Sequence, residues 1–260
     1  MVIRQHTNIF GTYAPWYGIC VCLSLLAMVV WILYGFKQHR INEYQQNELL
    51  MGFPFVMLFG VAIAFVLDVV FTGDWRTWLG NEQRRFGFTY AGWLLGALAA
   101  IWVHGRVTSL GTMFLLNYFL PVFALMQGIG RIGCLLSGCC YGKVCTWGVK
   151  YPPGSLPFER IGDACVFPIQ LVEAFLLVCL FVICLKAIFR FRAVVYLFGV
   201  AGIRFILEFF RGDNRGSVFG VTCLSPQQFM SLVFLLVGLF VLIVTRMNDS
   251  GSDNVKEQCN

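Results

Sequence analysis

The sequence predicts an all-α fold, a polytopic membrane bundle of about seven transmembrane helices in one domain spanning residues 1–260. Two observations carry this. The chain is 58% hydrophobic and only 12% charged, with 26 Phe and a mean hydropathy of +0.75, which is far too apolar for a soluble domain. Its apolar residues also gather into runs long enough to cross a bilayer, since a helix rising about 1.5 Å per residue needs roughly 20 residues for a hydrocarbon core of about 30 Å.

The runs place helices near residues 16–36, 52–72, 88–103, 113–127, 168–189, 194–210 and 227–245. The first is expected to remain as a span, because no small-residue cleavage site follows a short apolar core. The third and fourth are short, and each is rich in Gly and Ala or runs into a Gly-rich segment. They are therefore expected to tilt, break or pack on other helices rather than on lipid. The fifth opens on Pro168, in the first turn, where a missing N–H costs nothing. The longest connection, residues 128–167, is full of Gly, Cys and Pro, so no soluble domain is expected.

The basic residues are nearly balanced between the two sets of loops. Those packed against helix ends (Lys37, Arg40, Lys186, Arg190, Arg192, Arg246) weakly favour their face as cytoplasmic. A net charge of +6 suits a membrane surface, and nothing points to nucleic acid. Of the 11 Cys, Cys20, Cys22, Cys179 and Cys184 lie within spans, where Cys packs as a small apolar residue.

Charge inside a span is costly, at least about 2.5–3.5 kcal/mol per ionised group, so it marks a protein interior or wet cavity. Arg204 sits in the sixth helix with Glu208 four and Arg211 seven residues on, all projecting from one face. The alternative to a binding role is an Arg204–Glu208 pair that only orients helices. Gln170 and Glu173 share a face of the fifth helix. Asp68 and Asn117 are further intramembrane polar groups, each equally read as a helix-to-helix hydrogen bond.

Residues 128–142, GIGRIGCLLSGCCYG, formally contain GxGxxG, but a membrane span precedes them where a dinucleotide site needs a strand. Read physically, the glycines let backbone N–H groups form a nest for anionic oxygens, and Arg131 supplies a planar fork for phosphate. A lipid phosphate is the natural ligand. The alternatives are a re-entrant turn built for packing, or a redox or metal role for Cys139 and Cys140, flanked by Cys134 and Cys145. No metal or cofactor is expected. His104 ends the third helix and reads as interfacial.

These residues resemble the bacterial prolipoprotein diacylglyceryl transferase family over the whole chain. The strongest match is Gly130–Gly142, GRIGC-x4-CCYG, similar to the family signature, with Arg131 on its signature arginine. Weaker matches follow in order: Trp16-Tyr17-Gly18, Pro168-x-Gln170-x-x-Glu173-Ala174, the run from Arg204 through Glu208 to Asp213, and Ser225-x-x-Gln228. Tyr90 stands where the family has histidine, Cys134 where it has asparagine and Val200 where it has tyrosine. The second helix lacks the usual Gly-x-Arg. The phosphate arginines are kept and the proton-transfer residues are altered.

The resemblance implies a multi-pass protein of the bacterial plasma (inner) membrane, its N-terminus outside and its C-terminus inside. It would move the diacylglyceryl group of phosphatidylglycerol to the lipobox cysteine thiol of a preprolipoprotein signal peptide. Membrane lipids would be its surroundings. Arg131 and Arg204 would hold the phosphate, and Tyr90 would position the headgroup or relay a proton. Tyr17, Gly142, Glu173, Glu208, Arg211, Asp213, Arg215 and Gln228 would line the substrate cavity, the two glutamates orienting arginines. An alternative is a family-like protein that binds or moves an anionic phospholipid without transfer, and a third is a membrane thiol oxidoreductase using Cys139 and Cys140.

Overall fold

The computed structural model describes residues 6–9, 12–39, 41–72, 90–153, 155–212 and 225–258. Asp213 and Arg215 lie outside the described residues, as do Arg40 and the side chain of Asp68. The chain folds as helices α1 (Trp16–Gln38), α2 (Glu43–Thr72), α3 (Tyr90–Val107), α4 (Thr112–Ser137), α5 (Leu156–Ile161), α6 (Ile169–Lys186), α7 (Arg192–Leu207) and α8 (Pro226–Gln258). Three short strands accompany them: β1 (His6–Ile9) and β2 (Thr12–Pro15), paired antiparallel, and β3 (Val144–Val149). The all-α membrane class holds.

Among the described residues, six helices are long and apolar enough to cross a membrane. Along α1, Cys20, Ser24 and Met28 are buried, while Leu23, Leu26, Val30 and Leu33 are exposed on the other side. In water such a stripe would be a large apolar patch; in a bilayer it is the face offered to acyl chains. The seventh expected span, α3, has 18 residues with His104 and Arg106 in its last turn. Ten of its residues are buried, among them Gly92, Ala97 and Ala100, so it packs largely on protein, as its Gly and Ala content foretold.

The chain divides into two compact units, residues 32–117 and residues 1–31 with 118–260. In the first unit, α2 and α3 approach closely through glycine. A Cβ on Gly60 would lie 2.7 Å from Trp93 Nε1, and one on Gly96 would lie 2.7 Å from Ile63 Cβ. Small residues are how membrane helices gain contact where no hydrophobic force drives them together. His104 contacts the Glu48 carbonyl at 3.0 Å, and the Glu48 carboxylate accepts from Ser109 N–H and Oγ–H. Asn117 donates to Met113 O at 2.7 Å in its own helix.

In the second unit, Trp31 Nε1 donates to Tyr118 O while Tyr118 OH donates to Trp31 O, joining α1 to α4. The largest departure from expectation is in α4. It does not stop at residue 127 but continues to Ser137, so Gly128, Gly130 and Gly133 are helical. Their N–H groups face along the helix into its own ladder and do not form an anion nest. Glycine costs a helix about 1 kcal/mol against alanine, and here it permits close approach: a Cβ on Gly128 would sit 3.3 Å from Ala174 O, and one on Gly133 would sit 3.0 Å from Cys20 Cβ. Helix α7, the sixth expected span, ends at Leu207, and Glu208–Phe210 form a 3-10 turn.

Candidate phosphate site

Glu173 is the centre of the site. It stands one turn into α6, 2% exposed, and bonds two arginines from two other helices. Arg131 Nε meets its Oε2 at 2.8 Å, and Arg204 Nε meets its Oε1 at 2.9 Å. Gln127, one turn before Arg131 on α4, donates to the same Oε1 at 3.3 Å. The sequence reading put Arg131 and Arg204 together and gave Glu173 a supporting role. The carboxylate between them is what brings them side by side, with each arginine held at Nε.

Arg211 and Glu208 form a second pair at 3.7 Å, with Arg211 buried and within electrostatic range of Glu173. Because α7 ends at Leu207, Glu208 turns with the 3-10 segment and pairs with Arg211, while Arg204 turns to Glu173. The cluster thus brings Arg131, Arg204 and Arg211 together with Glu173 and Glu208. Buried charges are tolerated only where they are paired and hydrogen-bonded.

Backbone pairing fixes the Arg211 strand. Gly142 and Arg211 form an antiparallel bridge, Lys143 N–H donates to Phe210 O at 3.0 Å, and Gly212 N–H donates to Tyr141 O at 3.1 Å. Phe167 N–H in turn donates to Lys143 O. A Cβ at Gly142 would fall 2.4 Å from Phe167 O, so only glycine fits between the two neighbouring backbones. Gly142 therefore ties the signature segment to the Arg211 strand. Beneath it, Tyr141, Val149, Tyr151, Val166 and Leu135 form a small apolar core.

A Schellman motif ends α4: Cys139 N–H donates to Cys134 O at 3.1 Å and Gly138 N–H to Leu135 O at 3.2 Å, with Gly138 at φ +69°. The thiols of Cys134, Cys139 and Cys140 meet as a result, all within 4.8 Å of one another. Cys145 is not among them; its thiol donates to the Trp147 carbonyl. Gln170 Nε2 clamps the turn, donating to Cys139 O at 2.8 Å and meeting Tyr151 OH at 3.2 Å. Donation from Cys134 and Cys139, with the charges of Arg131 and Arg211, draws the Cys140 thiol well below its ordinary range, while its role as donor pushes Cys139 up. Burial pushes the Tyr151 phenol up to about 12.

Tyr17 lies at the start of α1, its ring edge against Gly133 and its hydroxyl within electrostatic range of Arg131 and the three thiols. Gln228 takes a structural part: its Oε1 accepts from Ser225 N–H while Ser225 Oγ accepts from Gln228 N–H, a capping box at the head of α8. Tyr90 belongs to the unit of residues 32–117, where it opens α3, half-buried, its ring 5.5 Å from that of Trp93. Sequence reasoning missed Gln127. The signal was there, an amide one helical turn from Arg131 in an apolar helix.

Residues 6–244 match the family described as prolipoprotein diacylglyceryl transferase. The chain belongs to this family. Among curated relatives, the phosphatidylglycerol–prolipoprotein diacylglyceryl transferase of Clostridium tetani is 30% identical over 254 residues, covering 92% of this chain and 96% of that protein. The second such enzyme of Clostridium perfringens is 26% identical over 257 residues, covering 92% and 94%. That of Dehalococcoides mccartyi is 30% identical over 180 residues, 66% of each chain. The chain is a multi-pass membrane protein of a family of bacterial inner-membrane enzymes.

Proposed function

We propose that this protein transfers the diacylglyceryl group of phosphatidylglycerol to the lipobox cysteine thiol of a preprolipoprotein. The observation that carries the reading is the buried Glu173 bridge holding Arg131 and Arg204 side by side, in a chain of this family. In the reaction the acceptor sulfur attacks a glyceryl carbon, a C–S bond forms, and the C–O bond to phosphate breaks. The oxygen keeps the electron pair and leaves as glycerol phosphate, while the thiol proton passes to a base.

Arg131 and Arg204 bind the phosphodiester and stabilise the second negative charge that develops as the phosphate leaves, as preorganised donors do best in a site shielded from water. Glu173 positions both, and the Arg211–Glu208 pair supports them from the adjoining strand. Tyr17, Gly142, Asp213, Arg215 and Gln228 complete the substrate cavity in this reading. Tyr90 positions the headgroup or relays the proton. With an unperturbed pKa near about 10, a phenol needs a neighbouring cation to act as a base at neutral pH.

A second reading, binding or moving an anionic phospholipid without transfer, draws on Tyr90 in place of the family's histidine. One experiment separates the two. Purified protein in phosphatidylglycerol vesicles is incubated with a reporter lipobox peptide and the peptide is weighed by mass spectrometry, alongside complementation of a transferase-depleted bacterium. The expected result is added diacylglyceryl mass. Folded protein that retains the lipid but leaves the peptide mass unchanged would refute the enzyme.

A further inference from the structure

We propose that Cys134, Cys139 and Cys140 form a three-thiolate site for one soft divalent cation, of which Zn2+ is the best fit. The three Sγ atoms lie within 4.8 Å of one another, and each step that brings them together is built in. The Schellman closure lays Cys139 over Cys134 through the 3.1 Å bond, so the five-residue spacing is the one this helix ending brings face to face. Apolar side chains ordinarily make that contact, and here both are thiols.

Cys140 is turned back onto the pair by a left-handed backbone, φ 57°, the one positive φ at a residue other than glycine among the described residues. Gln170, itself 1% exposed, fixes the turn through the Cys139 carbonyl. A strained, clamped turn that gathers three thiols is more than a lone cysteine or a chance proximity. Three sulfurs around Zn2+ at about 2.3 Å would be separated by roughly 3.8 Å, so a contraction of at most about 1 Å completes the set.

The softness of three sulfur donors selects Zn2+ or a similar d10 ion over Mg2+ or Ca2+. No carboxylate or imidazole joins the cluster among the described residues, so a tetrahedral ion would keep its fourth position for water or an exchanging ligand, as ligand-exchanging zinc sites do.

The test uses reduced, full-length protein in detergent and needs no lipid or peptide, so its outcome is independent of the transferase reading. Co2+ is titrated as an optical probe and then displaced by Zn2+. One equivalent of Co2+ should give a near-ultraviolet sulfur-to-cobalt charge-transfer band that Zn2+ abolishes. Cys139→Ser and Cys140→Ser should each remove most of the band, and Cys179→Ser should keep it. In wild-type protein, which removes any question of misfolding, Zn2+ should slow alkylation of Cys139 and Cys140 at least tenfold and leave Cys22 unchanged. Absence of the band, a band that survives both serine variants, or unprotected thiols would overturn the proposal.

Discussion

Replacing Glu173 with glutamine tests the physical centre of this protein. The carboxylate is buried, and its two oxygens meet guanidinium Nε atoms at 2.8 and 2.9 Å. Removing its charge leaves Arg131 and Arg204 as adjacent like charges without the carboxylate that bridges them. Breaking a buried ion pair costs about 3–5 kcal/mol. At about 2–4 °C per kcal/mol for a chain of this size, the melting temperature should fall by roughly 6–20 °C. Intrinsic tryptophan fluorescence of detergent-solubilised protein reads the transition. Glu159→Gln, on the exposed face of α5, is the control and should stay within about 0.5 kcal/mol of wild type. Phosphatidylglycerol should recover part of the loss, because its phosphate supplies the missing negative charge, while a zwitterionic lipid should recover less. If Glu173→Gln melts within about 2 °C of wild type, Glu173 does not hold the arginines as argued.

Other variants probe single contacts. Arg131→Lys and Arg204→Lys keep the charge but lose the planar fork. With about 1.5–3 kcal/mol per charged hydrogen bond, each should lose roughly 10- to 100-fold in transfer rate, read with the lipobox peptide. The signature glycines should split in their effect on melting temperature. Gly142→Ala must displace the Phe167 backbone and should destabilise, whereas at Gly130 a Cβ meets nothing within 4 Å and Ala should be neutral or stabilising by about 0.5–1 kcal/mol. Tyr90→Phe should slow transfer and Tyr90→His should sustain it; a fully active Tyr90→Phe would remove the hydroxyl from the mechanism.

The membrane class, the approximate spans and the presence of arginines inside the bundle were legible in the sequence, because each is a local property. Apolar run length is set by bilayer thickness, and a buried guanidinium is too costly to be incidental. The boundaries were less legible. Helix α4 runs on through Gly128, Gly130 and Gly133, where helix packing outweighs glycine's intrinsic preference, so composition alone suggested a turn. The capping box of Ser225 and Gln228 was readable from its spacing.

Which charge meets which was a matter of tertiary structure alone. Arg204 has Glu208 one turn away on paper, yet α7 ends at Leu207, so Glu208 turns toward Arg211 and Arg204 reaches across to Glu173. Arg131, Glu173 and Arg204 come from three helices whose approach depends on packing between them, and no spacing along the chain encodes that. The three thiols fall between the two cases. Their spacing was visible in the sequence, but their meeting required the helix to end at Ser137 in a turn closed by Gly138 and held by Gln170. The sequence by itself therefore determined that charges would lie inside a membrane bundle; the tertiary structure decided their partners, because pairing is chosen by distance and burial rather than by order.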